Sequence, residues 1–275
     1  MTDLHTHSTY SDGSETPAAL VAACVNAGVD IVSLTDHDTT GGIDEAVAAG
    51  KKNGVLVIPG VELSCETDRE IHILGYQFDT HNSVFLDGIK EMRDERKNRT
   101  VKMIQKLRDL GAPITYEDVL VHSRGDSIGR PHIGAALMDK GFVSNPMEAF
   151  EKYLGRGAAA YVPRVKMTPE KAIRLIRSAG GIPVLAHPLL TGLGNIRELI
   201  AELKGYGLLG IEAYYPAHTD GQCIEYECIA MQNGLLITAG SDFHGTVFEA
   251  ELGCETRKSS YLEKSIEKIV KNTGI

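Results

Sequence analysis

Short apolar runs bounded by turn residues recur along the chain, at residues 2–4, 29–35, 55–62, 71–76, 182–187, 208–214 and 235–239. Their length and flanking turn signals predict seven buried strands. Between several of them lie patterns that predict helices at 16–27, 43–53, 168–179 and 196–204. The punctuation agrees. Pro17 sits in the first turn of one helix, Thr168-Pro169-Glu170 opens another, and Gly28, Gly54, Gly180 and Gly205 stand where helices stop. Alternating strands and helices predict parallel βα units. Seven are too many for a small open sheet, so the pattern predicts an α/β fold, a distorted seven-stranded (β/α)7 barrel, with a doubly wound sheet as the alternative.

Residues 81–157 break the alternation. Their pattern is mostly helical, with Val101, Ile104 and Leu107 spaced on one face after the charged run 91–102. They predict an inserted helical subdomain between two barrel segments, 1–80 and 158–275. Arg93, Arg96 and Arg99 recur every three residues and so form one stripe. Alternating with Glu91, Asp94 and Glu95, that stripe reads as a solvated face, and substrate contact is the rival reading.

Composition narrows the class. The 275 residues are 43% hydrophobic and 24% charged, as in ordinary globular domains, which disfavours disordered, collagen-like and disulfide-scaffold classes. Lys plus Arg number 28 against 37 Asp plus Glu, a net charge of -9, so no global basic field gathers long nucleic acid or an anionic membrane. The five cysteines are widely spaced with no C-x-x-C pair, which fits reduced thiols. The first ten residues lack a basic region followed by an apolar stretch, and no apolar run reaches membrane length. A cytoplasmic protein with no membrane association and no obligate protein partner is expected.

The chain also has 10 histidines and no tryptophan. Asp3-Leu4-His5-Thr6-His7 is followed by Ser11-Asp12-Gly13. Residues two apart on a strand share a face, so His5 and His7 can reach one ion. Alone, such a pair is weak evidence. Yet Asp36 and His37 follow the second predicted strand, Glu62 ends the third, His72 lies in the fourth, His187 ends the fifth, and Asp242 and His244 follow the seventh. Barrel and open-sheet enzymes collect their reactive groups at that end of the strands. Nine potential ligands, His5, His7, Asp12, His37, Glu62, His72, His187, Asp242 and His244, imply two or three divalent ions. Imidazole and carboxylate without thiolate suit zinc, manganese or iron.

The segments D-L-H-x-H at 3–7 with S-D-G at 11–13, T-D-H at 35–37, P-G-x-E at 59–62, A-H-P at 186–188 and G-S-D-x-H at 240–244 together resemble the PHP (polymerase and histidinol phosphatase) metallophosphoesterases, in particular the nucleoside phosphate and 3′,5′-bisphosphate phosphatase-like subgroup. The resemblance implies a distorted barrel with a trinuclear site. One ion would take His5, His7 and Asp242; Glu62 would bridge to a second, held by His72 and His187; Asp12, His37 and His244 would hold the third. Ions about 3.5–4 Å apart can activate a bridging hydroxide and clamp the oxygens of an in-line displacement at phosphorus. No phosphate-binding P-loop offers another route.

Glu62, Asp242 and His218 are the expected catalytic groups. In the insert, Gly129-Arg130-Pro131-His132 opens a helical pattern, and Arg130 and His132 could grip a phosphate there. His218 follows the sixth strand and is the third expected substrate contact, beside Tyr214 and Tyr215; His81 and His122 read as surface residues. The expected activity is hydrolysis of a small phosphate ester, an AMP-like nucleotide or a 3′,5′-bisphosphate, with short RNA or a cyclic phosphate as variants. An amidohydrolase and a noncatalytic metal-binding module are the rivals, since similar barrels serve several chemistries.

Overall fold

A computed structural model of the chain describes residues 1–66, 70–123, 125, 127–163, 167–192, 195–247, 250–253 and 259–271. Seven strands form one sheet in chain order: β1 (Thr2–Thr6), β2 (Ile31–Leu34), β3 (Leu56–Glu66), β4 (Glu70–Tyr76), β5 (Ile182–Leu185), β6 (Gly210–Tyr214) and β7 (Leu236–Ala239). The His7 N–H donates to Phe243 O at 2.8 Å and the Asp242 N–H to His5 O at 2.9 Å. These bonds join the ends of the first and last strands, so the sheet is a nearly closed barrel.

The expectation of uniformly parallel strands fails at β4, which runs antiparallel to both β3 and β5 while the other neighbours are parallel. The cause is connection length. β3 runs on to Glu66, past its expected end, and pairs Ser64 with His72 and Glu66 with Glu70. A parallel crossover needs a dozen or more residues, and far fewer separate these two strands.

The helices form where the punctuation places them, except that the helix expected to stop before Gly205 runs on to Tyr206 and is capped by Gly207. In α1 (Pro17–Ala27) the Thr16 side chain caps Ala19 N–H at 3.2 Å, and Gly28 returns its N–H to Cys24 and Val25 carbonyls. Its buried face, Leu20, Val21 and Cys24, packs on Val32 and Leu34 of β2 and Val57 of β3. Each such fully buried aliphatic side chain contributes about 1.5–3 kcal/mol. α2 (Ile43–Asn53) presses so closely on β3 that a Cβ at Gly50 would lie 2.5 Å from Val57 Cγ2 and 2.6 Å from Val55 O.

The segment after β4 starts with α3 (Ser83–Asp109), then α4 (Tyr116–Leu120), α5 (Arg130–Asp139), α6 (Pro146–Ala149) and a π-helical turn, Phe150–Leu154. α3 serves two cores. Phe85, Ile89 and Met92 join the barrel's apolar cluster, whereas Met103, Ile104 and Leu107 join a separate cluster with Val119, Ile133, Leu137 and Leu154. Between them the helix buries Arg96 and Arg99, which are 6% and 9% exposed, while Val101 is 49% exposed. The solvated-face reading of this stripe is therefore corrected for Arg96 and Arg99, and the apolar face does not include Val101. Arg96 is buried because it bonds to Asp38 and Ser64 of the barrel, and Arg99 because it donates to the Val162 carbonyl and lies over the Tyr161 ring. The chain returns to the barrel through α7 (Pro169–Ser178), followed by α8 (Ile196–Tyr206), α9 (Asp220–Asn233) and α10 (Ser260–Lys271).

Candidate metal centre and active site

All nine expected ligands meet at one end of the barrel, with Glu62 at their centre. Its Oε1 lies 2.8 Å from His72 Nδ1 and 3.1 Å from His187 Nε2. Its Oε2 lies 2.8 Å from His37 Nδ1, 3.3 Å from His7 Nε2 and 3.4 Å from His5 Nε2. Asp242 Oδ1 stands 3.3 Å from His5 Nε2 and 3.1 Å from His7 Nε2. Asp12 completes the far side, 3.4 Å from His244 Nε2 and 3.7 Å from His37 Nε2. The imidazoles of His7 and His244 stack with centroids 4.1 Å apart.

Three donor groups are compact enough to hold an ion each: His5, His7, Glu62 and Asp242; His7, Asp12, His37 and His244; and His37, Glu62 and His72. The first is the set implied by resemblance. The second adds His7 to the expected three, and the third brings in His37 where the family pattern uses His187.

The donor atoms fit cations. His5 Nε2, His7 Nε2, His37 Nδ1, His72 Nε2, His187 Nδ1, Asp12 Oδ1 and Glu62 Oε2 are buried without a hydrogen-bond partner. Leaving so many polar atoms unpaired costs about 1–3 kcal/mol each, so a native site supplies something to meet them. Electrostatics agree. Burial opposes an imidazolium at His7, yet the neighbouring Asp242 and Glu62 carboxylates outweigh it and push the group up to about 10. His72 rises to about 9 against the same burial, through Glu62 and Glu70. At His37 burial wins over Glu62 and Asp12 and the group falls to about 4. Burial would lift the Glu62, Asp12 and Asp242 carboxyls, but the surrounding imidazoles hold all three well below the usual carboxylate range. The pocket is built around positive charge, and divalent ions meet that demand without titrating.

Carboxylates outside the cluster fix its members. Glu212 accepts from His5 Nδ1–H at 3.0 Å and from the His187 backbone N–H at 2.7 Å. Asp3 accepts from Ser241 N–H and Oγ–H, at 3.0 and 2.6 Å, and so holds the turn before Asp242. Asp36 accepts from Ser8 N–H at 2.7 Å and Ser11 Oγ–H at 2.6 Å, which shapes the loop between His7 and Asp12. Sequence reasoning missed Glu212 and the role of Asp3; Glu212 is an acid inside the otherwise apolar strand β6, which was an available signal, whereas Asp3 stands among the polar residues of β1. Gly240 is required by close approach, since a Cβ there would lie 2.2 Å from His5 Cβ. Among the described non-glycine residues, His187, Asp242 and Asp38 take positive φ, 25°, 55° and 53°, at this site. Such backbone costs about 1–3 kcal/mol per residue and persists where the surroundings impose it.

A cavity of about 280 Å³ opens over the cluster, lined on one side by Asp12, His37, Glu62, His72, His187 and Asp242 and on the other by Arg96, Arg99, Arg130 and Phe150. Arg130 starts α5, donates to Glu70 Oε1 at 2.6 Å and lies over the Phe150 ring at 5.5 Å. His132 is tied up as a helix cap, its Nδ1 accepting the Gly129 N–H at 2.9 Å. His218 is not among the lining residues; its Nδ1–H donates to Ala213 O at 3.0 Å, and its ring packs on Tyr215 and Tyr226. Tyr215 stands between it and the cluster, donating to Asp242 Oδ2 at 3.2 Å and packing on His187. His122, away from the cluster, lies 3.0 Å from the exposed Asp139.

The comparisons agree with this geometry. The PHP domain pattern matches residues 3–161. A 5′-3′ exoribonuclease of Haemophilus influenzae is 37% identical over 254 residues, 91% of this chain and 92% of its own. A 3′,5′-nucleoside bisphosphate phosphatase of Chromobacterium violaceum is 33% identical over 246 residues, 88% of this chain and 86% of its own. The solved structure of a candidate metal-dependent phosphoesterase from Bifidobacterium adolescentis superposes with a TM-score of 0.89 at 30% identity, covering 98% of this chain and 96% of that one. Fold and site define a metal-dependent hydrolase of phosphate esters. The chain belongs to the PHP domain family. No helix among the described residues is long and apolar enough to cross a membrane.

Proposed function

We propose that the protein releases phosphate from a small phosphorylated nucleotide, a 3′,5′-bisphosphate or a nucleoside monophosphate. The observation that carries this is the cavity itself, in which unpartnered imidazole and carboxylate donors face a wall bearing three arginines. At about 280 Å³ it falls just below the ~300–1,000 Å³ typical of ligand sites. That volume suits one nucleotide unit. The acidic balance of the whole chain, net charge -9, also disfavours long polyanions.

In this reading His5, His7, Asp12, His37, Glu62, His72, His187, Asp242 and His244 would hold two or three divalent ions, Glu62 belonging to two of the three donor groups. Manganese, zinc and iron all suit this donor set. When bound, the ions supply charge for the phosphoryl oxygens and acidify the attacking water. The chain's own groups orient the substrate. Arg130, braced by Glu70 and Phe150, offers a fork to a phosphate. Tyr215 holds the second oxygen of Asp242, so that Oδ1 keeps its aim between His5 and His7. The segment 81–157 is the substrate-facing subdomain of the 1–80 and 158–275 barrel, and the enzyme works in the cytoplasm.

Removal of 5′ nucleotides from short RNA is a second reading, favoured by the name of the Haemophilus influenzae relative, because a chain terminus needs the same single-nucleotide cavity. Phosphate release by the purified protein with manganese or zinc, from AMP, 3′,5′-bisphosphates, ribose cyclic phosphates and short 5′-phosphorylated RNA, tests both. Failure on every phosphate ester together with turnover of amides would overturn the proposal.

A further inference from the structure

The inserted helix meets the metal-binding end of the barrel at a buried ion pair. Arg96 of α3 donates from Nε to Asp38 Oδ2 and from Nη2 to Ser64 Oγ, the latter at 2.9 Å. Asp38 is fully buried, and its Oδ1 accepts the Ser64 backbone N–H at 2.8 Å. The three groups close a ring. Asp38 directly follows His37, at a φ of 53°, and its own N–H donates to Glu62 O at 2.9 Å. Ser64 lies two residues beyond Glu62 on β3. The ring therefore joins the backbone carrying His37, the backbone carrying Glu62 and the helix whose next turn carries Arg99.

We propose that Arg96 is a positioning residue: by clamping Asp38 to Ser64 it sets the distance between His37 and Glu62 and docks the arginine wall of the insert over them. The inference rests on the metallophosphoesterase reading above. Nothing in the ring needs to touch substrate for this. The backbone at Asp38 is left-handed, a conformation that is strained for a non-glycine residue and persists under fixation by its surroundings. The fork of Arg96 supplies that fixation through two donors in a plane, which a lysine ammonium does not reproduce. Arg96 and Arg99 thereby act on different parts of the fold, since Arg99 donates at 2.6 Å to the carbonyl of Val162, which packs against the insert's apolar cluster, whereas Arg96 crosses to the barrel sheet.

Arg96→Lys keeps a cation beside the buried carboxylate, and the double variant Arg96→Met with Asp38→Asn removes both charges together, so that neither leaves Asp38 unpaired. Both are compared with wild type as full chains stripped of metal and titrated calorimetrically with manganese, then reloaded and assayed. Loss of a group that orients metal ligands lowers affinity or activity by about 10–100-fold. Expected for both variants are manganese affinity about 10-fold or more below wild type, a matching fall in kcat at saturating metal, and a KM within about 3-fold. An unchanged manganese affinity with a raised KM would make Arg96 a substrate contact and overturn the proposal. Lowered melting temperature with manganese affinity and kcat intact would reduce the ring to a structural brace and overturn it equally. If wild type hydrolyses no phosphate ester, the functional reading fails by itself, and the manganese titration still decides whether Arg96 positions the metal-binding groups.

Discussion

Glu212 and His5 meet 3.0 Å apart with both side chains wholly buried, the imidazole N–H donating to a carboxylate that also accepts the backbone N–H of His187. This fixes the His5 tautomer, so its Nε2 lone pair faces the space between Glu62 and Asp242. It also ties β1 to the turn after β5 through one residue of β6. Glu212→Gln keeps the volume but has only one oxygen to accept two N–H groups. Zinc or manganese affinity should fall about 10–100-fold with the fold intact by circular dichroism. Affinity equal to wild type in calorimetric titration would show that the pair does not orient the site.

Glu62 contacts five imidazoles through its two oxygens. Glu62→Ala should abolish phosphate release and lower the metal content of the purified protein. Near-normal turnover with metal still at wild-type stoichiometry would contradict its central role.

Metal removal should be visible in stability as well as in rate. A ligand that binds only the folded state stabilises it by about 2.7 kcal/mol at 100 times its Kd. A chelator should inactivate the enzyme and lower its melting temperature, and added manganese or zinc should reverse both. Persistent activity in demonstrably metal-free protein would sink the metallohydrolase assignment.

Arg130 faces the cavity from the insert and bonds to Glu70 rather than to the nine clustered side chains. A lost hydrogen bond to a charged group costs about 1.5–3 kcal/mol. Arg130→Ala should therefore lower kcat/KM by about 10–100-fold, mainly through KM, with metal content unchanged. A fall in kcat alone would assign Arg130 to the chemical step instead.

Gly50 tests the packing of α2 on β3. Alanine in a helix interior is favoured over glycine by about 1 kcal/mol. Against that, the added Cβ would press on the backbone oxygen of Val55 and on Val57 Cγ2, at 2.6 and 2.5 Å, and overpacking costs about 1–3 kcal/mol. Because a backbone atom cannot swing aside, strain wins, and Gly50→Ala should melt a few degrees below wild type in calorimetry. A higher melting temperature would show that α2 slides freely.

The barrel was legible in the chain because buried strands and capped helices announce themselves locally. Thr16, Pro17 and Gly28 mark α1 whatever surrounds it. The nine clustered side chains were equally legible, since they fall at the ends of strands that the pattern had already placed. What stayed hidden depends on partners distant in sequence. Arg96 reads as solvated until Asp38, 58 residues away, is seen beneath it. His218 stands after the correct strand, but the intervening ring of Tyr215 keeps it from the cavity, and no periodicity reveals which of two neighbouring aromatics turns inward. The polarity of β4 was implicit in the few residues separating it from β3, a length signal that outweighs alternation.

That reversed strand dictates how the insert reaches the substrate. In a uniform barrel every strand ends at the reactive mouth and the following helix descends. β4 instead starts at the mouth, with Glu70 and His72, and delivers the chain to the opposite floor, where Asp79 bonds to Ala179 just before β5. One extra ascent is then compulsory. α3 provides it, 27 residues and about 40 Å long, enough to climb the outside of the barrel and arch over the rim. A single change of strand direction thus converts what would be a peripheral helix into the ceiling of the catalytic chamber.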